Sequence, residues 1–309
     1  MLIVKVSQPI IRIMLEETTT STPQRAQSEG VVRVHRQRFD CEMGLTLERD
    51  ALAIEEPLQI SMQWHDPVTH RRHIQEWSMT MRTPGEDAHL IRGLLLSQQI
   101  IDSFDQILDL NLADDETRHA ANHWVVTLPY QQASRIQTQE RRYVSQSSCG
   151  LCGLTSVKAL TLHQDIHVDS ESAWLTSDQI MQMPSTLASL QPLFADTGAV
   201  HGAGYFAEGK LIAAAEDVGR HNAVDKLIGR VIGEQRWHPQ GVLILSGRVS
   251  FELMQKAAIA RIPVVVAVGA PSKLAVDMAR QFDITLIGFT KRQQFNIYHG
   301  HSRLQSVRK

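Results

Sequence analysis

The stretch GVLILSGRVSFELMQKAAIARIPVVVAVGAPSKLAVDMARQFDITLIGF, from Gly241 to Phe289, decides the fold. It holds three continuous apolar runs: Gly241-Val242-Leu243-Ile244-Leu245-Ser246, Pro263-Val264-Val265-Val266-Ala267-Val268 and Ile284-Thr285-Leu286-Ile287-Gly288-Phe289. Between them, Phe251 to Arg261 and Ser272 to Gln281 read as helices. Continuous apolar strands separated by helices predict an α/β sheet covered on both faces, with these last strands parallel. Ligands of such sheets sit at the carboxyl ends of the strands. Those ends are Ser246-Gly247-Arg248, Gly269-Ala270-Pro271-Ser272 and Phe289-Thr290-Lys291-Arg292.

Upstream, His221 to Ile232 reads as an amphipathic helix. Val200 to Tyr205 and Lys210 to Ala215 read as strands joined by a turn at Glu208-Gly209. Leu187 to Phe194 is helix-like, and Ala173 to Thr186 fits neither pattern cleanly. The first half is richer in strand signals. Val31 to Val34 and Leu52 to Ile54 are strand pieces, and Glu55 to Met62 reads as an edge strand because it opens at Pro57. Trp77 to Arg82 and Trp124 to Leu128 are further strands. Pro84-Gly85 turns into a helix with Glu86 and Asp87 at its positive end and a buried face of Leu90, Ile91, Leu94 and Leu95. The expected division is a flexible leader (1–30), a smaller β-rich α+β domain (31–145), a loop and short helix carrying two cysteines (146–170), and a larger α/β domain ending in a basic tail (171–309).

Composition narrows the function classes. The chain has 309 residues, 43% hydrophobic and 21% charged, with a net charge of −2. Those values describe a soluble globular protein with no overall basic excess to draw it to nucleic acid or an anionic membrane, so neither is expected as a partner. Three cysteines (Cys41, Cys149 and Cys152) are too few and odd in number for a secreted disulfide framework. The apolar start from Met1 to Leu15 is broken by Lys5, Pro9 and Arg12, with no small-residue cleavage site. A cytoplasmic protein is expected.

The run Ser148-Cys149-Gly150-Leu151-Cys152-Gly153 carries the most reactive chemistry. Two thiols so spaced can share one task, one as nucleophile and the other resolving or stabilising it. Gly150 and Gly153 leave room for a large partner, and a helix starting after Cys152 would favour the thiolate. Structural zinc needs four ligands, and no second pair has conventional spacing, although 14 histidines leave that reading open. A thioredoxin-like pair lacks its strand-helix context. Inert buried thiols leave the flanking glycines and serines without a purpose.

Two further clusters stand out. Glu216-Asp217-Val218-Gly219-Arg220-His221-Asn222-Ala223-Val224-Asp225-Lys226 lies where a strand passes into a helix, so Arg220 and His221 fall near a helix N-terminus, a natural anion site. A solvated helix start with surface ion pairs is an equally good reading. His201, alone at a strand edge, is by default structural. From Lys291 to Lys309 there is no Asp or Glu, and Phe295 and Tyr298 interleave with basic residues. Such a mix holds phosphates and stacks on flat rings, RNA included, while a solvated tail suits Arg308 and Lys309 better.

Several runs occur together and in order: Glu55-Glu56-Pro57-Leu58, Met81-Arg82-Thr83-Pro84-Gly85, the cysteine run, Thr197-Gly198-Ala199-Val200-His201, Asp217 to Lys226, Ser246-Gly247-Arg248, and Gly288-Phe289 with Phe295-Asn296-Ile297-Tyr298. Their combination, from about Val31 to Leu304, resembles the FdhD (FdhD/NarQ) family of sulfur carrier proteins needed for formate dehydrogenase activity. The resemblance implies a cytidine-deaminase-like three-layer α/β/α core in the second half. It implies a sulfurtransferase that accepts sulfur from a cysteine desulfurase as a persulfide on Cys149, with Cys152 in support. The recipient it implies is the molybdenum bis(molybdopterin guanine dinucleotide) cofactor, bound as substrate and mimicked by a guanine nucleotide. The contacting segment it implies is Phe289, Thr290, Lys291, Arg292, Gln293 and Gln294. It further implies a homodimer, a chaperone role and formate dehydrogenase as client. The competing classes are a zinc-dependent deaminase-like enzyme, which lacks its glutamate because His201 is followed by Gly202 and Ala203, and a non-catalytic cofactor-binding chaperone.

Overall fold

The computed structural model describes residues 30–113, 120–133, 135–136, 168 and 173–305. Cys149 and Cys152, the expected helix over Leu154 to Leu160 and the leader up to residue 29 lie outside the described residues. The chain is mixed α/β, with six α-helices and three sheets among the described residues.

The second half builds a six-stranded sheet from β7 (His201–Ala207), β8 (Lys210–Asp217), β9 (Val242–Leu245), β10 (Val264–Ala267), β11 (Thr285–Gly288) and β12 (Asn296–His299). The strand order is β12-β11-β10-β9-β7-β8. Strands β9, β10 and β11 run parallel, and every residue in them is buried. Their alternate side chains enter two apolar clusters. Val242, Ile244, Val264, Val266 and Ile287 meet Ile180, Met183 and Leu187 of α2 (Ser177–Ser189). Leu243, Leu245, Val265, Ala267 and Leu286 join residues of α4 (Arg220–Gly233), α5 (Phe251–Ile259) and α6 (Lys273–Gln281). Helices on both sides explain why these strands are continuously apolar. The β7–β8 hairpin turns at Glu208 (φ 50°) and Gly209 (φ 72°), a pair of left-handed residues suited to a two-residue hairpin.

The first half supplies a two-stranded ribbon, β1 (Val31–Asp40) and β2 (Gly44–Ala53), and a second sheet. That sheet consists of β3 (Glu56–His65), β4 (Arg72–Arg82), β5 (Asp109–Leu112) and β6 (His123–Thr127), ordered β4-β3-β6-β5. The segment opening at Pro57 is therefore an interior strand rather than an edge strand. Strand β6 pairs with β3 only from Gln59 to Gln63, so at Pro57 β3 has β4 alone beside it. The proline's missing N–H costs the sheet little there. The residues before Leu187 form the body of α2, started by a capping box in which Thr176 Oγ1 accepts from Gln179 N–H at 3.2 Å. The helix expected over Leu187 to Phe194 divides instead: α2 ends at Ser189, and α3 (Pro192–Thr197) restarts with proline in its first position.

One apolar cluster runs from Leu58, Ile60 and Met62 of β3, through α1 (Asp87–Ser97), to α4 and the large sheet. Helices α1 and α4 meet backbone to backbone. A Cβ on Gly93 would stand 1.9 Å from the Asp225 carbonyl oxygen, and one on Gly229 would stand 1.9 Å from that of His89. Among the described residues no helix is long and apolar enough to cross a membrane. Gly229→Ala must separate the two helices, and urea unfolding should show a loss of about 3 kcal/mol, the upper range for overpacking. An unchanged midpoint would contradict the close crossing.

Candidate functional site

The three parallel strands deliver their carboxyl ends to one edge, where the loops are stitched by backbone hydrogen bonds. Gly269 N–H donates to Gly247 C=O at 3.0 Å, Phe289 N–H to Gly269 C=O at 3.1 Å, and Thr290 N–H to Ala267 C=O at 3.0 Å. A Cβ on Gly269 would lie 2.8 Å from the Gly247 carbonyl carbon, so only glycine allows this approach. The result is close backbone packing between the loops that follow β9, β10 and β11. Ser250 and Ser272 cap the helices that leave the loops, accepting from Leu253 N–H and Ala275 N–H.

On one flank lies the segment expected to contact a cofactor. Phe289 has φ 53°, a conformation costly for an aromatic residue, and is 41% exposed. Thr290 turns inward, and its buried hydroxyl has no hydrogen-bond partner. Lys291 N–H donates to Gln294 C=O at 2.9 Å, closing a tight turn, and Lys291, Arg292, Gln293 and Gln294 are exposed. The expected segment is thus a single loop at the edge.

On the other flank, antiparallel β7 brings its first residue, His201, beside the end of β9. The His201 Nδ1 lies 3.5 Å from the position a Cβ on Gly247 would take. Helix α4 starts alongside with Arg220 and His221. His221 Nε2 is 2.7 Å from a Glu252 carboxylate oxygen and 3.3 Å from Ser250 Oγ. Burial, and then the charges of Arg220, His221 and Arg248, hold the His201 imidazole below its usual pKa. The sequence pattern did not join His201 to Arg220 and Arg248, because they come from three separate elements. Among the described residues, no group of three or more His, Cys, Asp and Glu side chains is placed to hold a metal ion.

The Asp217 to Lys226 run proves to have two tasks. Arg220 and His221 belong to the edge. Asp217, Asn222, Asp225 and Lys226 are buried and bind the two halves of the chain together. Asp217 Oδ2 accepts from Lys226 Nζ at 2.8 Å and from Thr83 N–H at 3.1 Å, and Lys226 donates to Thr83 C=O at 2.8 Å. Asn222 donates to Met81 C=O at 2.8 Å. Asp225 accepts from Lys256 Nζ at 2.7 Å and from Ser97 Oγ at 2.8 Å. Burial pushes the Asp217 carboxyl up, against the opposing pull of Lys226 and of its hydrogen-bond donors. The neighbouring motif is equally structural. Arg82 grips Asp87 with two hydrogen bonds of 2.9 and 2.8 Å and donates to Asn122 at 2.7 Å.

The FdhD/NarQ family model matches residues 53–305. The chain belongs to the FdhD/NarQ family. Sulfur carrier protein FdhD of Nocardia farcinica is 38% identical over 261 residues, 84% of this chain and 90% of that protein. The Thermoplasma acidophilum protein of the same name is 35% identical over 257 residues, 82% of this chain and 87% of its own length. The Mycobacterium tuberculosis one is 36% identical over 264 residues, 82% and 92%. The crystal structure of a protein described as a formate dehydrogenase accessory protein, from Desulfotalea psychrophila, superposes with a TM-score of 0.67 at 19% identity. It covers 89% of this chain and 99% of that one, and supports the shared fold. The resemblance carried by the ordered motifs is therefore correct at the level of family.

Two outcomes follow from this geometry. Lys226→Ala strands the buried Asp217 carboxylate, and chemical denaturation should register a loss of about 3–5 kcal/mol. A loss below about 1 kcal/mol, the size of an exposed pair, would contradict the clamp. His201 should titrate below the ordinary 6.5 by NMR. The unfolded chain then binds the extra proton first, so this residue's contribution to stability declines as pH falls below 6.5. A value at or above 6.5 would show that the imidazole is neither desolvated nor surrounded by cations.

Proposed function

We propose that this member of the FdhD/NarQ family is a sulfur carrier that loads a persulfide on Cys149, with Cys152 as the supporting thiol, and passes the sulfur to a bound molybdenum bis(molybdopterin guanine dinucleotide) required by formate dehydrogenase. The observation that carries the reading is the continuous family match over 53–305, which includes the Cys149 to Cys152 run. The relatives' shared name, sulfur carrier, supports the cargo. The accessory protein of like fold supports the client. In the loading step the Cys149 thiolate attacks the terminal sulfur of a cysteine desulfurase persulfide. A new S–S bond forms on Cys149, the old one breaks, and the desulfurase cysteine leaves as thiolate. Thiols in this role require a reducing compartment, hence the cytoplasm. The proposed functional unit is a homodimer acting as both sulfurtransferase and cofactor chaperone.

The loops at the carboxyl ends of β9 to β11 are where a sheet of this kind receives a ligand. Phe289 offers a ring for stacking, and Lys291 and Arg292 offer charge. After incubation with a cysteine desulfurase and cysteine, intact-mass measurement should show one added sulfur atom that dithiothreitol removes. The addition should vanish in Cys149→Ala and persist in Cys152→Ala. No addition to wild type, or equal addition to Cys149→Ala, would overturn the persulfide assignment. Restoration of formate dehydrogenase by Cys149→Ala would leave only a binding chaperone.

A further inference from the structure

The β1–β2 ribbon stands apart from both larger sheets. At its root Ile54 N–H donates to Gly30 C=O at 2.8 Å, and beyond its own pairing its main contact is that of β2 with α3. Two strands alone are marginal in water and need a surface to cover an apolar face. Directly opposed residues share a face, and the register sets Arg33 with Ala51, His35 with Arg49, Gln37 with Leu47 and Phe39 with Leu45 on one of them. On that face Phe39 is 74% exposed, Leu47 72% and Leu45 68%. Arg33, His35 and Arg49 are exposed as well. The acids of the ribbon are engaged on the other face or in the turn. Arg36 pairs with Asp50 at 2.7 Å and with Glu48 at 3.5 Å, Arg38 lies 3.8 Å from Glu48, and Asp40 accepts from the N–H groups of Glu42 and Met43. One face of the ribbon is thus apolar at its tip, basic behind the tip and without an acid.

We infer that this face of the ribbon docks the protein that donates sulfur, through an apolar patch bordered by acidic side chains on that protein. Aromatic and arginine side chains are what protein interfaces collect. Basic groups with no acid beside them select an acidic partner and reject a basic one. A second copy of the chain fits poorly. Laid full length on its own image about a twofold axis, the face sets His35 and Arg49, at its middle, against the same basic pair. An anionic membrane or a nucleic acid fits no better. Between Val31 and Ala53 four arginines are matched by four acids, and two of those acids, Asp40 and Glu42, stand at the tip turn. Location selects the donor over the client, and this step rests on the proposed function. The ribbon is rooted against Thr83, which a Cβ on Gly30 would approach to 2.8 Å, and Thr83 N–H bonds Asp217 at the end of β8. Strand β8 is four inter-strand steps from β11 and the Phe289–Gln294 loop that follows it. A donor seated on the ribbon leaves that loop open to the recipient, whereas a client that takes up the recipient has to reach the loop.

The test follows sulfur loading of the full chain by intact mass as the concentration of a cysteine desulfurase is raised, with cysteine in excess. Leu47→Asp and Arg49→Glu should each raise the half-saturating desulfurase concentration about tenfold and leave the maximal loading rate unchanged. Arg36→Gln, on the opposite face, should behave as wild type. Glutathione persulfide, a donor too small to need a docking face, should load all four proteins equally, and their circular dichroism spectra should coincide. Wild-type half-saturation in both Leu47→Asp and Arg49→Glu overturns the docking face and leaves the proposed function standing. Slower loading of these variants by glutathione persulfide also overturns it, because the substitutions then act on the thiol or the fold. A smaller solution mass for Leu47→Asp than for wild type assigns the face to a contact between copies, and Leu47-dependent sedimentation with phosphatidylserine vesicles assigns it to a membrane; either result overturns the inference. Failure of both donors to load wild type removes the proposed function and this inference with it.

Discussion

The buried pair of Asp217 and Lys226 is the constraint on which the rest depends. Both side chains are almost wholly withdrawn from water, and both also bond the backbone of Thr83, in the link between β4 and α1. A buried ion pair stabilises only when its remaining hydrogen-bonding capacity is filled. Thr83 fills it here, and Gly219 N–H and Asn222 complete the shell of Asp217. The first half of the chain is therefore required to satisfy a charge that belongs to the second half. The α1–α4 crossing at Gly93 and Gly229 and the Lys256–Asp225–Ser97 group fasten the same junction. Fixing α4 in this manner also fixes where it starts, and so places Arg220 and His221 at the sheet edge.

The edge itself combines close backbone contacts between loops with a group of basic side chains. Parallel strands end together, and glycines at 247 and 269 let their loops touch without side chains between them. The strained Phe289 presents a ring on one side, while cations gather on the other. Neither feature helps the chain fold. Left-handed geometry costs an aromatic residue energy, and like charges beside a helix N-terminus repel. Under the proposed function, a flat, anionic recipient at this edge makes both favourable.

What the sequence made legible follows the strength of the burial signal. Strands β9, β10 and β11 announce themselves because both faces are covered, and Glu208-Gly209 announces its hairpin because both residues take positive φ. Strands β5 and β12 are four residues long and contain no buried residue, so no apolar period marks them; backbone pairing to β6 and β11 defines them. Pro184 inside α2 masked a helix whose true signal was the Thr176–Gln179 capping box. Pro57 suggested an edge because a missing N–H is normally placed at one, whereas the partner strand simply begins two residues later. At the site, the Phe289–Gln294 loop could be placed from its position after a buried strand. The Asp217 to Lys226 run could not be divided, since spacing along one helix does not reveal that its buried face meets Thr83, Met81 and Ser97. His201 looked solitary because its basic neighbours come from distant parts of the chain.

The central claim is that one edge of the large sheet receives the molecule to be sulfurated. The most direct measurement is a crystal structure of the full chain soaked with GDP. The account predicts the nucleotide at this edge, with its base against Phe289 and contacts from the Phe289–Gln294 loop. A nucleotide bound elsewhere, with this edge empty, would contradict it.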